Sequence, residues 1–328
     1  MNKKTFLRAT LALAAACAAP AFAQTPATGT PISIVVPYPA GGISDIFARA
    51  LAPTLGKILG RNVVVENITG ASGSIAASKV LNAPPNGNLL FMGSPTEVVL
   101  APVTLKAVKY QASDFRLLGL VTQAPLALYV RGDLPVNSVD ELLAYARKPG
   151  AKELSYGSTG PGSLYHLAGE GLREAAGLHA VHIPYRGGMP LLQDLMGSSV
   201  DMTLLPADGT IAKMAEGGKM KAIAVAAPAR SPRFPNVQTF AESKALPQFT
   251  AQGVWGGVMV PAAMPEALVV QLHKALSETL ASPEVRQALD AAGGAMPPIM
   301  SLAQAAAFYQ TESTKLIAAA KAAKLEPN

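Results

Sequence analysis

The 328-residue sequence has a single cysteine, Cys17, a single tryptophan and four histidines, and only 15% of its residues are charged. One cysteine excludes an internal disulfide and any multi-cysteine metal site. No apolar run reaches the ~20 residues needed to cross a bilayer. No Lys/Arg-rich stretch with interleaved aromatics occurs, which removes the usual grounds for nucleic-acid binding. The chain also lacks a GxxxxGK[ST] phosphate loop, a GxSxG nucleophile elbow and HExxH or HxxxH spacing. Gly160-Pro161-Gly162 is followed by Tyr165 where a GxGxxG pattern needs glycine, so nucleotide binding is not supported.

What remains is apolar and foldable. Half of the residues are hydrophobic, and the length predicts two domains, each able to bury a core. The amino terminus reads as a secretory signal: Lys3, Lys4 and Arg8, an apolar run from Ala9 to Ala19, then Ala21-Phe22-Ala23 before Gln24. Cleavage after Ala23 predicts export and a mature chain without cysteine. Cys17 lies inside this leader; its lipidation is the alternative, although Ala14 stands where a lipoprotein more usually has Leu or Val. Removing three basic residues and no acidic one takes the net charge from +6 to +3.

Beyond a polar leader from Gln24 to Pro31, β-branched runs alternate with amphipathic stretches, the pattern of α/β units around a mostly parallel sheet. Strands are expected at Ile32–Val36, Asn62–Glu66, Leu89–Met92, Leu154–Gly157, Ala180–Ile183, Val200–Leu205 and Ala222–Ala226. Helices are expected at Ile43–Leu59, Ser72–Leu81, Ser163–Ala176, Met189–Met196, Ile211–Ala215, Pro265–Leu280, Pro283–Ala291 and Leu302–Lys324. Ser138 and Glu141 mark a capping box at a further helix start. Two long apolar stretches, Phe115–Val130 with Pro125 inside it and Gln252–Val260, read as crossings between two lobes. The lobes are then residues 27–124 with 251–328, and residues 125–250.

Two glycine-rich turns join strand to helix. In Val36-Pro37-Tyr38-Pro39-Ala40-Gly41-Gly42-Ile43-Ser44-Asp45 either the first-turn N–H groups form an anion site or the two glycines merely turn the chain. Asp45 either belongs to that site or caps the helix. Ser155-Tyr156-Gly157-Ser158-Thr159-Gly160-Pro161-Gly162-Ser163 repeats the design in the other lobe, with Ser163 as N-cap. Open α/β sheets bind ligands at the carboxyl ends of strands, so the lobes are expected to clamp an anion between two helix starts. Gly93-Ser94-Pro95-Thr96 and Pro206-Ala207-Asp208-Gly209 end further strands facing the same cleft. Ser158 or Ser163 with His166 suggests a hydrolase, a reading that the missing elbow opposes; His166 otherwise packs locally or edges the cleft. His179, His182 and His273 have no metal-ligand spacing. Arg186 is either a carboxylate partner or a solvated turn residue, Trp255 a hinge packing residue, and Arg49 structural.

The leader together with VVPYPAGGISDIFAR, YGSTGPGSLYHLAGE, VHIPYRGG and VWGGVMVPAAMP, in that order, resembles the substrate-binding receptors of tripartite tricarboxylate transporters, also called Bug receptors. The resemblance spans essentially the whole mature chain. It implies an α/β, two-lobed, type II-like periplasmic binding protein, each lobe a mostly parallel sheet flanked by helices. Such a protein acts as a monomer, without enzymatic activity, cofactor or metal. It captures a small organic acid between its lobes and hands it to membrane permease subunits, or else signals to a membrane sensor. Carried over by position, Tyr38, Gly41, Gly42, Asp45, Ser94, Thr96, Ser158, Thr159, Gly160, Ser163 and His166 match the family's ligand loops. Asp208 lies where specificity is tuned, and would repel a second carboxylate or recognise an amine or hydroxyl. Glu97 and Val98 depart from the small or amide residues more usual in the family.

Overall fold

The structure, a computed structural model, describes residues 29–325; the leader, its cleavage point and Cys17 lie outside the described residues. Two five-stranded sheets organise the chain. The first has the order β2 (Val63–Asn67), β1 (Ile32–Val36), β3 (Leu89–Gly93), β10 (Val254–Pro261), β4 (Phe115–Ala124). The second has the order β7 (Ala180–Pro184), β6 (Leu154–Ser158), β8 (Met202–Pro206), β5 (Leu126–Arg131), β9 (Met220–Val225).

Each sheet is mixed in the same way. In the first, β10 alone runs against its neighbours β3 and β4, and the other strands share one direction. In the second, β5 alone is reversed, between β8 and β9. The reversed strands are the two that arrive from the other lobe. Pro125 breaks the long apolar stretch between β4 and β5, because a proline cannot donate to a ladder. Each sheet is therefore mostly parallel with a single antiparallel insertion, and the fold is two-lobed α/β.

Period-two burial builds a core on both faces of each sheet. Ile34 and Val36 face α1 (Ile43–Leu59), α7 (Glu266–Ala281) and α8 (Pro283–Ala291) through Phe47, Leu51, Leu55, Leu272 and Leu289. Val35 points the other way, toward α2 (Ser74–Asn82), the short helical segment Thr96–Thr104 and α9 (Leu302–Ala322). In the second sheet Leu126, Leu128 and Val130 face α3 (Val139–Ala146) and α4 (Leu164–Ala176), whereas Ala127 and Tyr129 face α5 (Gly188–Met196) and α6 (Gly209–Glu216). Helices on both faces bring several helix starts to the strand ends.

Boundaries move for local reasons. The helix expected from Ser72 begins at Ser74, because Ala71 and Ser72 take positive φ values of 45° and 51°. The last helix stops at Ala322, short of Lys324 with φ 49°. Ser138 caps α3 by accepting from the Glu141 N–H at 3.1 Å. The Glu141 carboxylate returns to the N–H of Asn137 rather than to that of Ser138.

Candidate functional site

A cavity of about 130 Å³ lies between the two sheets. At roughly 10–15 Å³ for each water-sized centre, it offers space on the order of ten non-hydrogen atoms. Of the residues expected at a site, Tyr38, Gly42, Ser94, Thr159 and Asp208 line it. Gly41, Asp45, Thr96, Ser158, Gly160, Ser163 and His166 do not.

The first loop behaves as its sequence suggests. Gly41 has φ 81°, a turn conformation that suits glycine. α1 starts at Gly42 with no side-chain cap, and Gly42, Ile43 and Ser44 line the cavity. The first-turn N–H groups have no intrahelical partner and carry the positive end of the helix dipole. Asp45 does not reach the cavity. Its buried carboxylate accepts from the Gly41 N–H, Arg49 Nε and Asn67 Nδ2 at 2.9, 2.9 and 3.0 Å. Burial opposes its charge, but these donors hold its pKa below the usual aspartate value. Asp45 thus pins the loop, and Arg49 is structural, as expected.

The second loop is capped by Ser163 as expected, but it makes contacts that its sequence does not announce. Ser163 Oγ accepts from the His166 N–H at 3.2 Å and closes the start of α4 as its N-cap. The Leu164 N–H donates to Thr96 Oγ1 across the lobes at 3.2 Å. Ser72 Oγ donates to the Pro161 carbonyl at 2.9 Å, and Thr104 Oγ1 lies 3.4 Å from the Gly162 carbonyl. The α4 start therefore locks lobe to lobe and is closed to a ligand anion. Only Thr159 turns toward the cavity from this loop; it is 5% exposed and its Oγ1 has no hydrogen-bond partner.

His166 is likewise not a base beside a serine. Its Nδ1 accepts from the Gly162 N–H at 3.0 Å, and its ring stacks on His182 with centroids 4.1 Å apart. It is His182 Nε2 that meets Ser158 Oγ, at 2.7 Å. Ser158 is fully buried, also bonds Gly160, and lies off the cavity. Burial, reinforced by neighbouring His166, depresses the His182 pKa to about 4, and burial also lowers that of His166. The pair is a neutral internal brace. His273 Nδ1 contacts the Leu118 carbonyl at 2.8 Å. No group of three or more His, Cys, Asp or Glu suited to a metal occurs among the described residues.

The second open helix start is α5. It begins at Gly187 without a side-chain cap, and Gly187, Gly188 and Met189 line the cavity. A Cβ built on Gly187 would lie 3.3 Å from Pro39 Cδ, so the loops preceding α1 and α5 meet. Sequence reasoning singled out Arg186 in this segment and passed over the glycines; Arg186 is exposed and off the cavity. A signal was present: Pro37-Tyr38 before Gly41-Gly42 and Pro184-Tyr185 before Gly187-Gly188 are versions of one turn, once per sheet.

Two buried carboxyls flank the cavity. Asp208 lines it and caps α6, its Oδ1 accepting from the Ile211 N–H at 2.9 Å. Burial pushes its pKa up to about 6 against the pull of the Ile211 and Thr210 amides. Glu97 is fully buried behind Ser94, whose N–H donates to Oε2 at 2.7 Å, and its Oε1 has no hydrogen-bond partner. Burial pushes Glu97 up to about 7, and burial with the Glu97 charge raises the Tyr38 phenol. Phe47, Met92, Leu192, Leu205, Ile211 and Trp255 give much of the remaining wall, and no Lys, Arg or His among the described residues lines it. Trp255 packs edge-on against Phe308 and Tyr309, as expected of a packing residue, yet it also lines the cavity.

This geometry has close parallels. The periplasmic binding protein BugD is 32% identical, with a TM-score of 0.80 over 91% of this chain and 99% of its own. MatC from Rhodopseudomonas palustris, solved with bound malate, is 28% identical, with a TM-score of 0.80 over 88% and 98%. Rpa4515 from R. palustris, solved with adipate, is 29% identical, with a TM-score of 0.82 over 92% and 100%. The profile described as tripartite tricarboxylate transporter family receptor matches residues 47–325. The chain belongs to the tripartite tricarboxylate transporter receptor family.

Proposed function

We propose that this receptor captures a small carboxylate-bearing solute between its lobes in the periplasm, after cleavage following Ala23. It then delivers the solute to the membrane permease subunits of a tripartite transporter. The observation that carries this reading is the meeting of two uncapped helix starts, α1 from one sheet and α5 from the other, at one cavity. Each contributes N–H donors and the positive end of a helix dipole, so a carboxylate is stabilised without a basic side chain. Ser94 and Thr159 add neutral hydrogen-bonding groups beside them. The bound malate and adipate of two structural relatives support the same ligand class.

Residues 27–124 with 251–328 form one lobe in this reading and residues 125–250 the other. They move about the crossings near Pro125 and Gly253. A solute bridging α1 and α5 favours the closed arrangement because it contacts both lobes only there, and a permease then distinguishes loaded from unloaded receptor by shape. Hydrolysis is not supported: Ser158 is buried away from the cavity, and Ser163 is an N-cap.

The test is thermal unfolding and calorimetry of the refolded mature protein with a panel of organic acids, malate and adipate among them. An acid at ~100 times its Kd adds ~2.7 kcal/mol of stability. Gly42→Asp, which places a carboxylate at the α1 start, is expected to abolish binding while the protein still unfolds cooperatively. Unchanged affinity in this variant refutes the site.

A further inference from the structure

Taking the carboxylate reading of the cavity as given, we infer that the solute carries a single carboxylate on an apolar body, and that Asp208 excludes a second. The argument is one of inventory. The two open helix starts are not at opposite ends: the loops preceding them touch at Pro39 and Gly187, so they form one anion pole. Thr159, nearly fully buried with an unpartnered Oγ1, lines the same cavity and offers it a hydroxyl donor.

The rest of the cavity offers no further open helix start and no cationic side chain among the described residues, only neutral polar groups such as Ser94, Thr122 and the indole of Trp255, whose Nε1 has no partner among those residues. The α6 start also faces it, but Asp208 caps this helix and sets its own carboxyl on the wall, while the Gly209 N–H is bound to the Gly293 carbonyl at 3.1 Å. The α4 start is closed by Ser163 and Thr96. The carboxyl of Glu97 lies just behind Ser94. A second ionised carboxylate would therefore find at most isolated neutral donors amid side chains such as Phe47, Met92, Leu192 and Ile211, or would approach Asp208. Burying a charge without a partner is strongly unfavourable. The same wall welcomes an alkyl chain or an aromatic ring, whose apolar surface leaves water on entry.

The experiment compares matched acids by calorimetry at pH 8, where Asp208 is ionised. Hexanoate and adipate share a chain length and differ in one terminal carboxylate; benzoate and malate extend the contrast to a ring and a polar diacid. Hexanoate or benzoate is expected to bind at least tenfold more tightly than adipate and malate. Asp208→Asn keeps a residue able to cap α6 and is expected to narrow that gap. Adipate or malate binding as tightly as the monoacids overturns this inference and leaves the receptor reading intact. Absence of binding by all four acids overturns the carboxylate reading itself.

Discussion

Closure of the lobes around a solute can be obstructed by one methyl group. Gly162 sits in the loop that locks onto the opposite lobe, with φ 72°, and a Cβ built there would lie 2.1 Å from Thr104 Oγ1 and 2.6 Å from Thr104 Cβ. Thr104 is 2% exposed, so it has little room to retreat. Gly162→Ala introduces two separable costs. Placing alanine in a left-handed conformation costs about 1–2 kcal/mol whether the lobes are apart or together. The overlap with Thr104 costs about 1–3 kcal/mol, as overpacking usually does, and arises only when the lobes meet. Affinity therefore falls about 5- to 150-fold at 1.4 kcal/mol per decade. The control is Gly150→Ala, where φ is 77° and nothing lies within 4 Å of a new Cβ. That variant is expected to lose stability without losing affinity. Calorimetry with the best-binding acid and ligand-free thermal unfolding read the two effects separately. Equal affinities for Gly162→Ala and Gly150→Ala refute the idea that this loop is a closing contact.

Three further outcomes follow from the same geometry. Glu97, with its pKa pushed from an ordinary 4.5 to about 7, retains a proton in the folded protein that the unfolded chain has lost between those values. The Glu97 contribution to stability is thus lost as pH rises from about 4.5 through 7, while His182, held down at about 4, contributes in the opposite sense. The stability difference between wild type and Glu97→Gln is expected to change by about 3 kcal/mol between pH 5 and 8, read from denaturant unfolding. Thr159→Val deletes a buried hydroxyl that has no partner among the described residues; ligand-free stability should be kept or raised, while affinity falls about ten- to a hundredfold for a lost hydrogen bond to a charged group. Ser163→Ala removes the α4 N-cap and is expected to lower stability by about 0.5–2 kcal/mol, measurable as a shifted urea midpoint.

Much of this architecture was readable from periodicity. α1 runs from Ile43 to Leu59 as expected, since its apolar stripe begins just after two glycines and ends at Gly60, φ 62°. The crossing at Pro125 and the cap at Ser138 rest on equally local chemistry. The functional assignments that changed depend on residues far apart in sequence. Nothing near Leu164 announces that Thr96, 68 positions away, accepts from the α4 start, and nothing near Ser158 announces His182. Both glycine loops read alike as anion sites because, although Ser163 is legible in the sequence as an N-cap, the cross-lobe contacts of Thr96, Ser72 and Thr104 that close the α4 start are not. The α5 start is legible only by comparison: its Pro-Tyr and Gly-Gly echo the α1 loop, while the charge of Arg186 is the more conspicuous feature of the segment and lies off the cavity.

The central claim is that helix-start N–H groups recognise negative charge. The most direct measurement is calorimetric titration of the tightest-binding acid against its own primary amide, which keeps shape and apolar surface and removes the charge. The account predicts that the acid binds and that the amide binds at least a hundredfold more weakly. An amide that binds as tightly as its acid contradicts it.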